Sequence, residues 1–125
     1  MLIKDIKDQK YFRSADGCIL CELLHRKNED FDLKAGYSIA HAVVPAYEKT
    51  VPHRLKESSE VYYILSGKGI MHIDGEEAEV YPGQAVYIPP GAVQYIENSG
   101  DSDLIFLAIA DPEWSEADEE ISENA

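Results

Sequence analysis

Two stretches decide the fold: HRLKESSEVYYILSG, running from His53 to Gly67, and GQAVYIPPGAVQYIEN, running from Gly83 to Asn98. In the first, the run EVYYIL is aromatic and β-branched, too short for a helix and suited to a strand. Strand alternation puts Glu60, Tyr62 and Ile64 on one face and Val61, Tyr63 and Leu65 on the other. In the second, Gly83 after Pro82 closes a tight turn and QAVYI forms a strand. Pro89-Pro90-Gly91 then stops that strand and reverses the chain, because two prolines cannot continue a ladder. Gln94 begins the next strand, sharing a face with Ile96 and Asn98.

Outward from these stretches, turn signals recur at short intervals: Asp16-Gly17, Ala35-Gly36, Ser66-Gly67, Asp74-Gly75, Pro82-Gly83 and Ser99-Gly100-Asp101. Between them lie the runs CILCELL, YSIAHAVV, EVYYIL, GIMHID, EAEVY, QAVYI, VQYIE and DLIFLAIA. About eight short strands with regular turns predict an all-β sandwich or closed barrel. Neither face of EVYYIL is cleanly polar, so both are expected to be covered, the outer one by a second subunit or by an N-terminal arm. A homodimer is the default expectation.

Length and charge narrow the function. A chain of 125 residues, 45% hydrophobic with eight Tyr, three Phe and one Trp, can bury a real core as one domain. Eleven basic against 24 acidic residues leave a formal charge of −13, which repels phosphate backbones and anionic bilayers, so neither nucleic acid nor a membrane is expected as a partner. No apolar run of about 18 residues could span a bilayer. The N-terminus MLIKDIKDQK is too charged for a signal peptide, and a cytoplasmic location is expected. Residues 1–35 read as an N-terminal arm with the first strands, 36–110 as the barrel, and 111–125 as an acidic, solvated C-terminal tail. Cys18 and Cys21, three apart in a strand-like run, point to opposite faces and read as buried reduced thiols.

The two opening stretches resemble the motifs of the cupin superfamily, in its small single-domain microbial form. The first cupin motif runs H-x-H, three or four residues, E, six residues, G; His53, Glu60 and Gly67 fit it, with Leu55 at the second histidine place. The second runs G, five residues, P-x-G, two residues, H, three residues, N; Gly83, Pro89, Gly91 and Asn98 fit it, with Gln94 at the histidine place. The resemblance covers roughly residues 36 to 110 and implies a double-stranded β-helix, or jelly-roll, barrel with the motif residues facing its interior. It also implies a divalent transition metal, Zn, Mn, Fe or Ni, held by His53, Glu60 and Gln94, with His41 as the candidate replacement for the missing histidine. One imidazole, one carboxylate and one amide can bind such a metal weakly. The same three groups could instead satisfy one another in a metal-free pocket.

Glu60 is the candidate acid or base, its pKa raised in an apolar barrel if no metal is present. Tyr62, Tyr87 and Tyr95 offer phenol handles, Tyr62 standing with Glu60 as a candidate catalytic residue. His72 is expected to face outward and His25 to lie at the surface. The expected function is binding of a small polar molecule, with isomerase or lyase chemistry on a sugar-like substrate. The alternative is a metal-free binding or structural dimer without turnover.

Overall fold

The computed structural model describes residues 1–122, and the last three residues of the acidic tail lie outside it. A single turn of 3-10 helix at Ile6–Asp8 precedes the strands, which follow as β1 (Phe12–Arg13), β2 (Ile19–Leu24), β3 (Ser38–Val44), β4 (His53–Leu55), β5 (Ser59–Ser66) and β6 (Gly69–Ile73). They continue as β7 (Glu76–Val80), β8 (Ala85–Ile88), β9 (Gln94–Asn98), β10 (Leu104–Asp111) and β11 (Glu119–Ile121). All eight runs singled out in the sequence are strands. The three additional strands, β1, β4 and β11, are two or three residues long and carry little periodicity.

The strands make two antiparallel sheets, ordered β1-β2-β3-β10-β5-β8 and β11-β4-β9-β6-β7. Their inner faces enclose a core of Val44, Ile64, Met71, Ile88, Ile96, Leu104 and Phe106, each at most 3% exposed. Alternation holds as read: Glu60, Tyr62 and Ile64 are buried in β5, and Gln94, Ile96 and Asn98 in β9. The fold is an all-β jelly roll. Gly67 shows why the first stretch ends in glycine. Its φ is 81°, and a Cβ there would stand 2.5 Å from the Asp103 carbonyl oxygen.

Two expectations about the ends change. β1 and β2 belong to the same sheet as β3, so the first strands are part of the barrel wall. The acidic C-terminal segment is stitched to the barrel and is not a solvated tail through its described length. Trp114 N–H donates to Ser38 Oγ (2.9 Å), Glu113 pairs with Arg26 (2.8 Å), and β11 pairs with β4, Glu119 opposite Leu55 and Ile121 opposite His53. The Asp118 carboxylate accepts from the Glu57 and Ser58 backbone amides. Backbone pairing overrides charge composition here, because β4 would otherwise be an unpaired edge.

The outer face of β5 is not covered within the chain, Tyr63 being 40% and Leu65 41% exposed. The N-terminal arm reaches β3 instead, where Tyr11 hydroxyl hydrogen-bonds His41 Nδ1 at 2.7 Å. Among the described residues no helix is long and apolar enough to cross a membrane.

Candidate functional site

Alternation on β3 and β10 gives the barrel its cavity, because the inward positions are small. Ala40 and Ala42 on β3, and Ala108 and Ala110 on β10, line a space of about 240 Å³. Cross-strand pairing sets these positions in rows. One row runs Glu22, Ala40, Ala108, Tyr62, and the next runs Ser38, Ala110, Glu60. The alanines are a floor from which side-chain volume has been removed, with polar groups at its ends. His53 and Leu55 of β4 and Glu119 of β11 come from the facing sheet, and Asp16 comes from the turn between β1 and β2.

Three of these groups converge. Asp16, His53 and Glu119 each offer a ligand atom within 4.8 Å of the other two. Their geometry is fixed by partners behind them. His53 Nδ1 lies 2.8 Å from the Val51 carbonyl oxygen, which can only accept, so Nδ1 carries the proton. Nε2 then faces Asp16 Oδ2 at 3.4 Å. Asp16 Oδ1 is occupied by the Ser14 hydroxyl and the Cys18 amide, leaving Oδ2 for the cavity. A neutral imidazole would set a lone pair against a carboxylate, a repulsion that a proton or a metal cation between them relieves. A histidine fixed by a carbonyl on one nitrogen and open on the other is the arrangement that metal ligation uses. Burial raises the Glu119 carboxyl, while the nearby His53 and a hydrogen bond from the Trp114 side chain pull it back down.

Of the residues the cupin resemblance nominated, Glu60 and Gln94 meet, Gln94 Nε2 donating to Glu60 Oε1 at 2.9 Å. Both are buried, and burial pushes the Glu60 carboxyl up to about 7 against the opposing pull of Gln94 and His53. Gln94 Oε1 is buried without a hydrogen-bond partner. The His53 imidazole is brought to the same cavity, but its gathered neighbours are Asp16 and Glu119. His41 is not: it sits at an outward position of β3, between the buried Ala40 and Ala42, and is held by Tyr11. Burial lowers its pKa. An odd step along a strand from Ala40 explains the miss, since only even steps share the cavity face.

Tyr62 lines the cavity and packs on Phe106 at 4.4 Å. Burial and the Glu60 charge hold its phenol well above the usual range, so it can donate a hydrogen bond but not act as a base. Tyr87 is exposed, and Tyr95 stacks on His72 at 4.0 Å, away from the cavity-lining residues. His25 is buried rather than superficial: Nε2 donates to the Trp114 carbonyl and Nδ1 accepts from the Lys27 amide. Cys18 and Cys21 are free, buried thiols. Sequence reading missed Asp16 and Glu119, which lie outside both motifs. The one signal present was Asp16-Gly17, read simply as a turn.

Comparison with known proteins places the chain. The family model for the Cupin domain matches residues 40–110. The chain belongs to the cupin family. An uncharacterized protein of Methanocaldococcus jannaschii is 40% identical over 91% of this chain and 89% of its own length. A glucose-6-phosphate isomerase of Pyrococcus abyssi is 42% identical over 62 residues, which are 46% of this chain and 33% of the isomerase. Among solved structures, a predicted oxalate decarboxylase of Thermotoga maritima superposes with a TM-score of 0.77 over 89% of this chain and 99% of its own, at 22% identity. That likeness establishes the cupin fold and nothing finer.

The usual cupin metal set, three histidines and a carboxylate, does not fit here. Leu55 is a buried apolar group where the second histidine would stand, which leaves His53 as the only imidazole of that set, and Gln94, whose N–H is given to Glu60, stands with an unpaired oxygen at the third histidine place. Asp16, His53 and Glu119 do fit a divalent cation: two carboxylates and one imidazole with its proton parked on the far nitrogen.

Proposed function

We propose that this cupin binds a small polar molecule in the alanine-floored cavity, beside a divalent cation held by Asp16, His53 and Glu119. We further propose that it acts on that molecule by moving a proton, as an isomerase or lyase would. The observation that carries the reading is His53: one nitrogen donates to Val51 and the other is aimed at an uncommitted oxygen of Asp16. When bound, the cation would polarise a carbonyl or hydroxyl of the substrate.

The chain's own contribution is the proton carrier. A carboxyl near 7 can take and return a proton at neutral pH, and Glu60 has one oxygen engaged by Gln94 with the other left for a substrate. Gln94 fixes that carboxyl in place. Tyr62, its phenol protonated, is placed on the same cavity wall to donate a hydrogen bond. The apolar walls of Leu20, Leu55 and Phe106 limit water around these groups. Shared sequence with part of a glucose-6-phosphate isomerase supports isomerisation of a sugar-like substrate. The local charge argues against a phosphorylated one: Arg54 pairs with Glu120 at 2.7 Å and is not among the cavity-lining residues.

Loss of the usual ligand set at Leu55 and Gln94 favours a second reading, a metal-free binding or structural cupin. Metal analysis separates the two. The protein purified without an affinity tag is expected to hold about one equivalent of zinc or manganese after equilibration. Asp16→Asn, His53→Ala or Glu119→Gln should each lower affinity about 100-fold, and Gln94→Ala should not. Retention of metal by Asp16→Asn and Glu119→Gln would remove the cation from the proposal.

A homodimer belongs to the same proposal. The outward positions of the large sheet, Ile39, Val43, Val61, Tyr63, Leu65, Ile105, Leu107 and Ile109, form an apolar face that water alone would cover at a cost. The charge of −13 supports a protein with no nucleic-acid or membrane partner.

A further inference from the structure

Charge sorts the possible ligands before shape does. Five carboxylates line the cavity, those of Asp16, Glu22, Glu60, Glu116 and Glu119, against two basic side chains, Arg13 and His53. The Arg13 guanidinium is already engaged by the Gly17 carbonyl (2.7 Å) and Glu48 (3.3 Å). Even with a divalent cation balancing Asp16 and Glu119, nothing is left over to receive an anionic ligand at the far end of the floor.

That far end is occupied by Glu22. It begins the row Glu22, Ala40, Ala108, Tyr62, so three strand spacings, about 14 Å, separate its backbone from that of Tyr62. Its Oε2 is buried and has no hydrogen-bond partner within the protein. Burial raises its carboxyl, only partly offset by His25. A buried polar atom without a partner costs stability, and Glu22 is one of the residues that line the cavity. Between Glu22 and Tyr62 the surface is two methyl groups, and Phe12, Leu20, Phe106 and Trp114 supply apolar and aromatic walls around it.

We propose that Glu22 selects the ligand: the cavity takes a small ring-bearing molecule, neutral or cationic, whose apolar face lies on Ala40 and Ala108 and whose ammonium, hydroxyl or other hydrogen-bond donor reaches Glu22, and it excludes anions. The inference rests on the reading of this cavity as a small-molecule site, and not on the cation. Aromatic or cyclic amines meet the description. Phosphosugars and dicarboxylates do not.

A matched pair of probes tests it. 2-Phenylethylamine and phenylacetate share a ring and differ in the charge of the tail. Each is titrated into the full chain at pH 7.5 and followed by backbone amide shifts, without metal and again with saturating zinc. The amine is expected to bind saturably, shifting residues of β2 and β3, at least about tenfold more tightly than the acid, as a charge-assisted hydrogen bond warrants. Glu22→Gln, nearly isosteric, should bring the two within about threefold, and Ala40→Leu, which fills the floor, should abolish binding of both while leaving zinc affinity unchanged. Equal or tighter binding of phenylacetate, no saturable binding by either probe, or a preference unaltered by Glu22→Gln would overturn the proposal. So would displacement of the amine by zinc, which would place the ammonium on Asp16 and Glu119. If zinc fails to bind at all, the proposed cation site falls, and the Glu22→Gln comparison in metal-free protein still decides this inference.

Discussion

Glu60→Gln should flatten the pH dependence of stability, and the structure says by how much. The carboxyl is buried between Gln94 and the cavity, and its pKa rises from the ordinary 4.5 to about 7. Below 4.5 the folded and unfolded chains both carry it neutral. Between 4.5 and 7 the folded chain keeps a proton the unfolded chain has released, so stability falls as pH rises, by about 1.4 kcal/mol per pH unit. Above 7 the loss is complete, at about 3 kcal/mol. Glutamine imitates the protonated carboxyl in shape and can still accept from Gln94 Nε2. Urea unfolding of metal-free protein at half-unit steps from pH 4 to 8 is the assay. Wild type and variant should agree near pH 4.5 and diverge until the variant is about 3 kcal/mol more stable above pH 7. Burial also raises Glu22 and Glu119, but they titrate in both proteins and cancel in the difference. Parallel curves would refute the claim that desolvation governs Glu60, and with it the case for a proton carrier poised near neutrality.

Trp114 is the chain's single tryptophan, lines the cavity and hydrogen-bonds Glu119, so zinc addition should change its emission, an effect that EDTA reverses and Glu119→Gln removes. Ser14→Ala, which takes away the hydroxyl that fixes Asp16, should weaken zinc binding about tenfold without altering the fold, as isothermal titration would show. Leu104→Ala, at a fully buried core position, should cost about 2–5 kcal/mol in denaturant unfolding. Tyr63→Glu combined with Leu65→Glu should convert a dimer to a monomer in light scattering while leaving zinc affinity in place.

How much of this was legible depended on which physical signal each residue carried. Short runs rich in β-branched and aromatic residues between turn signals, such as EVYYIL and DLIFLAIA, declared themselves, and the faces assigned to Glu60 and Gln94 follow from period two alone. The three-residue strands did not, since a run such as EEI has no periodicity and its partner, HRL, lies 66 residues away in the chain. The acidic end therefore read as solvated. For the same reason Asp16 and Glu119 stayed invisible: each takes its role from a partner distant in sequence, and a lone carboxylate in a charged segment looks like any other. His41 failed in the opposite way, a plausible residue type on the wrong parity of its strand.

The proposed cation site straddles the boundary of the family signature. The profile spans residues 40–110 and contributes His53, whereas Asp16 precedes it and Glu119 follows it. Two proteins could therefore agree at every signature position and differ entirely in whether they carry an ion, because the deciding oxygens arrive from flanking chain. Sorting barrels of this kind by chemistry calls for inspecting what their two ends lay across the opening.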